Sequence, residues 1–163
     1  PLIQDQGLGL LVWSPLAGGF LSGKFTRENS PEGTRRATFD FPPIDKERGY
    51  DIVDVMRPIA ETHEVSVAQV ALAWLLHKKP VTSVIIGAKR MGQLEDNLGS
   101  VDVALTDDEV AGLDEVSKIP LAYPAWMGAL GDDRRPGESR DLAQLTGEDV
   151  EEKEVAKEAA AAE

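Results

Sequence analysis

Apolar residues recur along this chain in two rhythms, one of strands and one of helices. Leu8-Gly9-Leu10-Leu11-Val12-Trp13 is an unbroken apolar run closed by turn residues, the pattern of a strand buried on both faces in a parallel sheet. Val81-Thr82-Ser83-Val84-Ile85-Ile86 reads as a second, β-branched strand. Between them Ile52, Val55, Met56, Ile59 and Ala60 return at helical spacing, which predicts a helix over Lys46 to His63 with a kink or break near Pro58. Ser66-Val67-Ala68-Gln69 has the form of a capping box stapled by Val65 and Val70, and it opens a helix whose stripe is Val67, Val70, Ala71, Trp74 and Leu75. Lys78-Lys79-Pro80 suits the end of that helix, since cations complement its dipole and proline blocks continuation. A third helical pattern passes through Leu94 and Leu98, and Thr106-Asp107-Asp108-Glu109 caps a fourth that ends near Ser117. Strands separated by helices predict an α/β fold with parallel strands and helices outside.

The segments between these elements differ in character. Ser14 to Lys24 is rich in small residues that let backbone approach a ligand. Phe25 to Pro43 is polar and aperiodic, the signature of a long surface loop that is functional or mobile. From Asp132 to Glu163 there are eleven acidic and five basic residues, a net of −6, and no aromatics. A folded body over 1–130 and a disordered acidic tail over 131–163 are therefore expected.

Composition narrows the function classes. At 163 residues and 42% hydrophobic content, one domain with a real core is expected. No apolar run approaches the roughly 18 residues of a membrane-spanning helix. The opening Pro1-Leu2-Ile3-Gln4-Asp5-Gln6 has no initiator Met, basic stretch or small-residue cleavage site, and reads as a cut within a longer protein. The chain has no cysteine, which is compatible with a reducing cytoplasm, and only His63 and His77 as imidazoles, which disfavours a metal site. A net charge of −12 argues against nucleic-acid or anionic-membrane partners.

Two strand ends carry ligand chemistry. At the first, the Ser14 hydroxyl and the Gly18-Gly19 backbone could approach a phosphate, although an ordinary strand-to-helix turn has the same composition. At the second, Gly87-Ala88 leads into Lys89-Arg90 at the opening of a helix, where free N–H groups and two cations favour an anion. Gln93 and Asn97, each about a turn further on, could present amides to the same ligand. Ligands in parallel α/β folds lie outside the carboxyl ends of the strands, so a dinucleotide with an extra phosphate would span both. As proton donors, Tyr50, Tyr123, His63 and His77 each read more readily as packed or exposed side chains.

These residues match a family. Val12-Trp13-Ser14-Pro15-Leu16-Ala17-Gly18-Gly19-Phe20-Leu21-Ser22-Gly23-Lys24 resembles the seventh-strand cofactor loop of the aldo-keto reductases. Val67 to Leu76 resembles the following helix, and Val84 to Lys89 with Gln93 to Leu98 resembles the eighth strand and its helix. Tyr123-Pro124-Ala125-Trp126-Met127 is similar to an ending of bacterial members. The resemblance covers about residues 1 to 128. It implies the C-terminal part of a (β/α)8 TIM barrel, a bound NADPH, and reduction of aldehydes or ketones by hydride transfer. It further implies that Ser14, Pro15, Leu16, Ala17, Gly18 and Lys24 lie along the pyrophosphate, while Gly87, Ala88, Lys89, Gln93, Asp96 and Asn97 hold the adenosine and its 2′-phosphate. No residue inherits a catalytic role, because the family's Asp, Tyr, Lys and His belong to earlier strands. The chain is expected to depend on a missing N-terminal barrel half as partner, with a small carbonyl compound as substrate; a non-catalytic nucleotide- or partner-binding module is the alternative. By position, Phe39 or Phe41 could touch substrate.

Overall fold

The helix that opens at Ser66 organises the fold. Ser66 Oγ accepts from the Gln69 N–H at 3.1 Å, and Gln69 Oε1 accepts from the Ser66 N–H at 3.2 Å, so the expected capping box forms. The helix, Val67–His77, is apolar on almost every side, which suits an element with neighbours all round. Ala68, Val70, Ala71, Leu72 and Ala73 are buried, Val70 and Leu72 completely. Truncating Leu72 to Ala would cost on the order of 2–5 kcal/mol.

The computed structural model describes residues 2–29, 31–34, 36, 39 and 41–121. The expected tail over 131–163 and the Tyr123 to Met127 ending lie outside the described residues. Two units are distinguished, Gln6–Lys118 and one formed by residues 1–5 with 119–163. In the latter, the described structure is one helical turn, α1 (Leu2–Asp5). The larger unit runs β1 (Leu10–Trp13), a 3-10 segment (Ala17–Ser22), α2 (Lys46–Thr62), α3 (Val67–His77), β2 (Val81–Ile85), α4 (Met91–Leu98), a 3-10 turn (Gly99–Asp102) and α5 (Asp107–Ser117).

β1 and β2 pair in parallel, as expected, with Leu11 opposite Ser83, Val12 opposite Val84 and Trp13 opposite Ile85. The register slips between Leu10 and Leu11, and there the Thr82 hydroxyl accepts the Leu10 N–H at 3.1 Å. That slip breaks the alternation of β2, leaving Thr82 and Ser83 both exposed. The expectation of strands buried on both faces is corrected. Leu10, Val12 and Val84 are half-buried, but Leu11 and Trp13 are each 61% exposed and Ile85 is 49% exposed. α3 packs against β2, and among the described residues no layer covers the other face.

The core lies among the helices. Val53, Met56, Ile59 and Ala60 of α2, Val70 and Ala71 of α3, and Leu113 of α5 form one buried cluster. α2 continues through Pro58 without the expected break, its Asp45 cap accepting from the Arg48 N–H. Pro58 faces solvent, where the loss of one backbone donor is tolerated. Lys78, expected to serve the helix dipole, instead binds Asp114 and lies 4.8 Å from the Trp74 ring.

α5 begins on the expected capping box, with Glu109 Oε2 accepting from the Thr106 N–H at 2.8 Å. The same carboxylate meets His63 Nε2 at 2.9 Å and joins α5 to the end of α2. These contacts, the Thr106 N–H first and His63 next, hold the Glu109 carboxyl below its ordinary range. A depressed carboxyl stabilises the fold above its unfolded value and loses that contribution as pH falls through the folded value. Glu109→Gln should therefore lower stability by about 1 kcal/mol at pH 7. In denaturant titrations the gap to wild type should close below about pH 4; a gap that persists at pH 3 contradicts this account.

Candidate functional site

Because β1 and β2 are parallel and in register, the turns that leave them open at the same sheet edge. The first turn is strained. Ser14 and Ala17 take left-handed backbone at φ 55° and 48°, followed by Gly18 at 68° and Gly19 at 94°, conformations that cost non-glycine residues on the order of 1 kcal/mol or more. Short bonds hold it: the Ala17 N–H to Ser14 O at 2.9 Å, the Gly19 N–H to Leu16 O at 2.9 Å, and Ser22 Oγ to Gly19 O at 2.7 Å. A Cβ on Gly18 would stand 2.9 Å from the Phe41 carbonyl, so the loop after Lys24 returns to touch this turn.

Arg36 ties that return in place. Its guanidinium is buried, donates to Ala17 O at 2.8 Å and to Pro42 O at 2.8 Å, and lies 5.7 Å from the Phe20 ring. Phe25 is also buried, stacked 5.4 Å from Phe20. The loop from Phe25 to Pro43 is therefore partly inside the fold, which its polar sequence did not signal. An isolated arginine in a polar stretch carries no period, and only the carbonyls of distant turns reveal its role.

The second turn is ordered by one amide: Gln93 Oε1 accepts from the Lys89 N–H at 3.0 Å. Arg90 sits at the N-cap of α4 without a side-chain cap, so the first N–H groups of that helix remain open to an anion. Lys89 and Arg90 are exposed beside them. α4 is fixed from behind by α3. Ser66 Oγ donates to Asp96 Oδ2 at 2.8 Å, and Gln69 Nε2 donates to Asp96 O at 2.7 Å.

Both turns border one cleft of about 800 Å³, within the rough 300–1,000 Å³ range of cofactor sites. Ser14, Pro15, Leu16, Gly18 and Lys24 line it from the first turn; Gly87, Ala88, Lys89, Gln93, Asp96 and Asn97 line it from the second. Ala17 turns its carbonyl to Arg36 and does not line it. Asn97 is buried, and among the described residues its side-chain amide has no protein partner. Trp13, Ile85 and Glu32 to Thr34 border the cleft too, none of which sequence reasoning had singled out. Their strand-end positions could have marked Trp13 and Ile85. The side chains read as packed or exposed behave so: Tyr50 packs 5.1 Å from Phe20, His63 binds Glu109, and His77 is exposed. Tyr123 lies outside the described residues.

A family profile described as "Aldo/keto reductase family" matches residues 1–118. The chain belongs to that family. Among curated aldo-keto reductase relatives, "Aldo-keto reductase str7" of Strobilurus tenacellus is 34% identical over 132 residues, 78% of this chain and 39% of that protein. A "Probable voltage-gated potassium channel subunit beta" of Arabidopsis thaliana is 38% identical over 109 residues, 63% of this chain and 33% of that protein. The "NADH-specific methylglyoxal reductase" of Escherichia coli (strain K12) is 27% identical over 118 residues, 72% of this chain and 36% of that protein. The chain thus spans between a third and two fifths of the length of these relatives. Its two strands and outer helices are consistent with part of the family's (β/α)8 barrel.

Ser66 caps α3 and holds Asp96 through a single hydroxyl, so the aldo-keto reductase cleft rests on it. Ser66→Ala should cost about 1 kcal/mol in chemical unfolding. Aspartate is ordinarily as good a cap as serine, yet Ser66→Asp would face Asp96 as a like charge and should be at least as damaging. Full stability in Ser66→Asp would show that the Asp96 contact is not formed.

Proposed function

We propose that this chain is the cofactor-holding part of an NADPH-dependent carbonyl reductase, one that transfers hydride to an aldehyde or ketone. The observation that carries this reading is the shared cleft: every residue expected to hold the dinucleotide, Ala17 apart, lines it. The pyrophosphate would lie along Ser14 to Gly18 with Lys24 as counter-charge. The 2′-phosphate would take Lys89 and the open end of α4, where a cation and unpaired N–H groups act together. Asn97 offers its amide to the adenosine. Asp96 is given a different role from the one expected, since its carboxylate already accepts from Ser66 and so serves to fix α4. The exposed Trp13 ring at the end of β1 supplies a flat apolar surface for the nicotinamide end.

The acid that protonates the carbonyl would come from elsewhere in a whole enzyme, as would strands to pair with the open edges of β1 and β2. A missing N-terminal barrel half is the proposed partner, and a cytoplasmic location fits a chain without cysteine. The likeness to a probable potassium channel subunit beta favours a second reading, a module that binds nucleotide and partner without turnover. The cleft serves both.

The charge at Lys89 separates NADPH from NADH, because only the former carries a 2′-phosphate. Lys89→Ala should weaken NADPH binding by roughly tenfold, the scale of one charge-assisted contact, and leave NADH binding unchanged in fluorescence titrations. Equal losses for both cofactors, or equal wild-type affinities, would remove the 2′-phosphate from this site.

A further inference from the structure

The exposed sheet face and the returning loop meet in an aromatic wall. Trp13 and Ile85 are register partners at the carboxyl ends of β1 and β2, so both side chains stand on the same open face, and both border the cleft. Phe41 lies 6.3 Å from Trp13 at a 55° tilt, and Phe39 stacks 5.6 Å from Phe41. Trp13, Phe39 and Phe41 remain 61%, 58% and 41% exposed despite touching one another. A solvated aromatic cluster of this kind is a cost unless something covers it.

Its position is not accidental to the loop. The Phe41 carbonyl packs against Gly18 so closely that any side chain there would clash, and Arg36 grips the next residue through Pro42 O. The Phe41 N–H also bonds Phe39 O at 2.9 Å, which fixes the two rings relative to each other. The contacts that shape the cofactor turn therefore also set the wall beside it. Charge decides what the wall accepts. The nearest guanidinium, Arg36, is buried and committed to two backbone carbonyls, so it is not available to a phosphorylated or carboxylated substrate.

We infer that the Trp13–Phe41–Phe39 wall is the substrate subsite and that it selects aryl ketones and aldehydes over small polar or phosphorylated carbonyl compounds. This rests on the proposed cofactor reading, which places the reactive ring of the dinucleotide beside Trp13. The aryl group would cover the wall while the carbonyl faces the cofactor, an orientation that offset or tilted ring packing favours.

The test uses the full chain saturated with NADP⁺ and calorimetric titration with two methyl or hydroxymethyl ketones, 2-acetylnaphthalene and dihydroxyacetone phosphate. 2-Acetylnaphthalene should bind at least tenfold more tightly. Phe41→Ala and Phe39→Ala should each weaken it by roughly tenfold, the scale at which one aromatic contact acts. Phe41→Leu should fall between Phe41→Ala and wild type. Both rings are largely exposed, so thermal midpoints should hold, and NADP⁺ affinity should stay unchanged. If NADP⁺ binds but the two ketones bind alike, or if Phe41→Ala has no effect, the wall belongs to another partner and the inference is overturned while the cofactor reading stands. If NADP⁺ itself does not bind, both fall.

Discussion

Parallel pairing of two short strands is the constraint on which the site depends. In an antiparallel pair the segments following the strands would leave at opposite ends; here they leave together, and the Ser14 and Gly87 turns face one cleft. The pairing needs a long crossover, which α2 and α3 provide. α3 bears the greater part: its apolar sides pack against α2 and β2, and its cap reaches Asp96 of α4. Site geometry is thus tied to the burial of Val70 and Leu72, side chains that no ligand would touch.

Strain and restraint coincide at the first turn. Ser14, Ala17, Gly18 and Gly19 occupy left-handed backbone in close succession, and such conformations persist only where surroundings over-determine them. Arg36 is part of what does so, since a buried guanidinium satisfied by carbonyls of two separate segments welds them together. The turn is thereby pre-shaped before any ligand arrives, which spares binding the entropic cost of ordering it.

The cleft also shows one residue type serving two ends. Asp96 faces the cleft, yet its carboxylate accepts from the Ser66 hydroxyl and its carbonyl from Gln69. An aspartate of one methylene less reach than glutamate is suited to such a tie between helices. Asn97 beside it is left with an unpaired amide, so the two neighbours divide support and recognition between them.

Much was determined by local sequence alone. Both capping boxes, the apolar α3, the two strands and the anion-favouring turn at Lys89 follow from spacing and side-chain type, because caps, periodicity and helix ends are interactions over a few residues. The family and most of the cleft's lining were legible for the same reason, in continuous motifs around Ser14 and Gly87. Tertiary structure decided the rest. Arg36 became a buried clamp, Asp96 a helix tie and Thr82 a register slip only when segments far apart in sequence met. The open face bearing Leu11 and Trp13 likewise could not be read from an apolar run, since what covers a strand is set by its neighbours and not by its own residues.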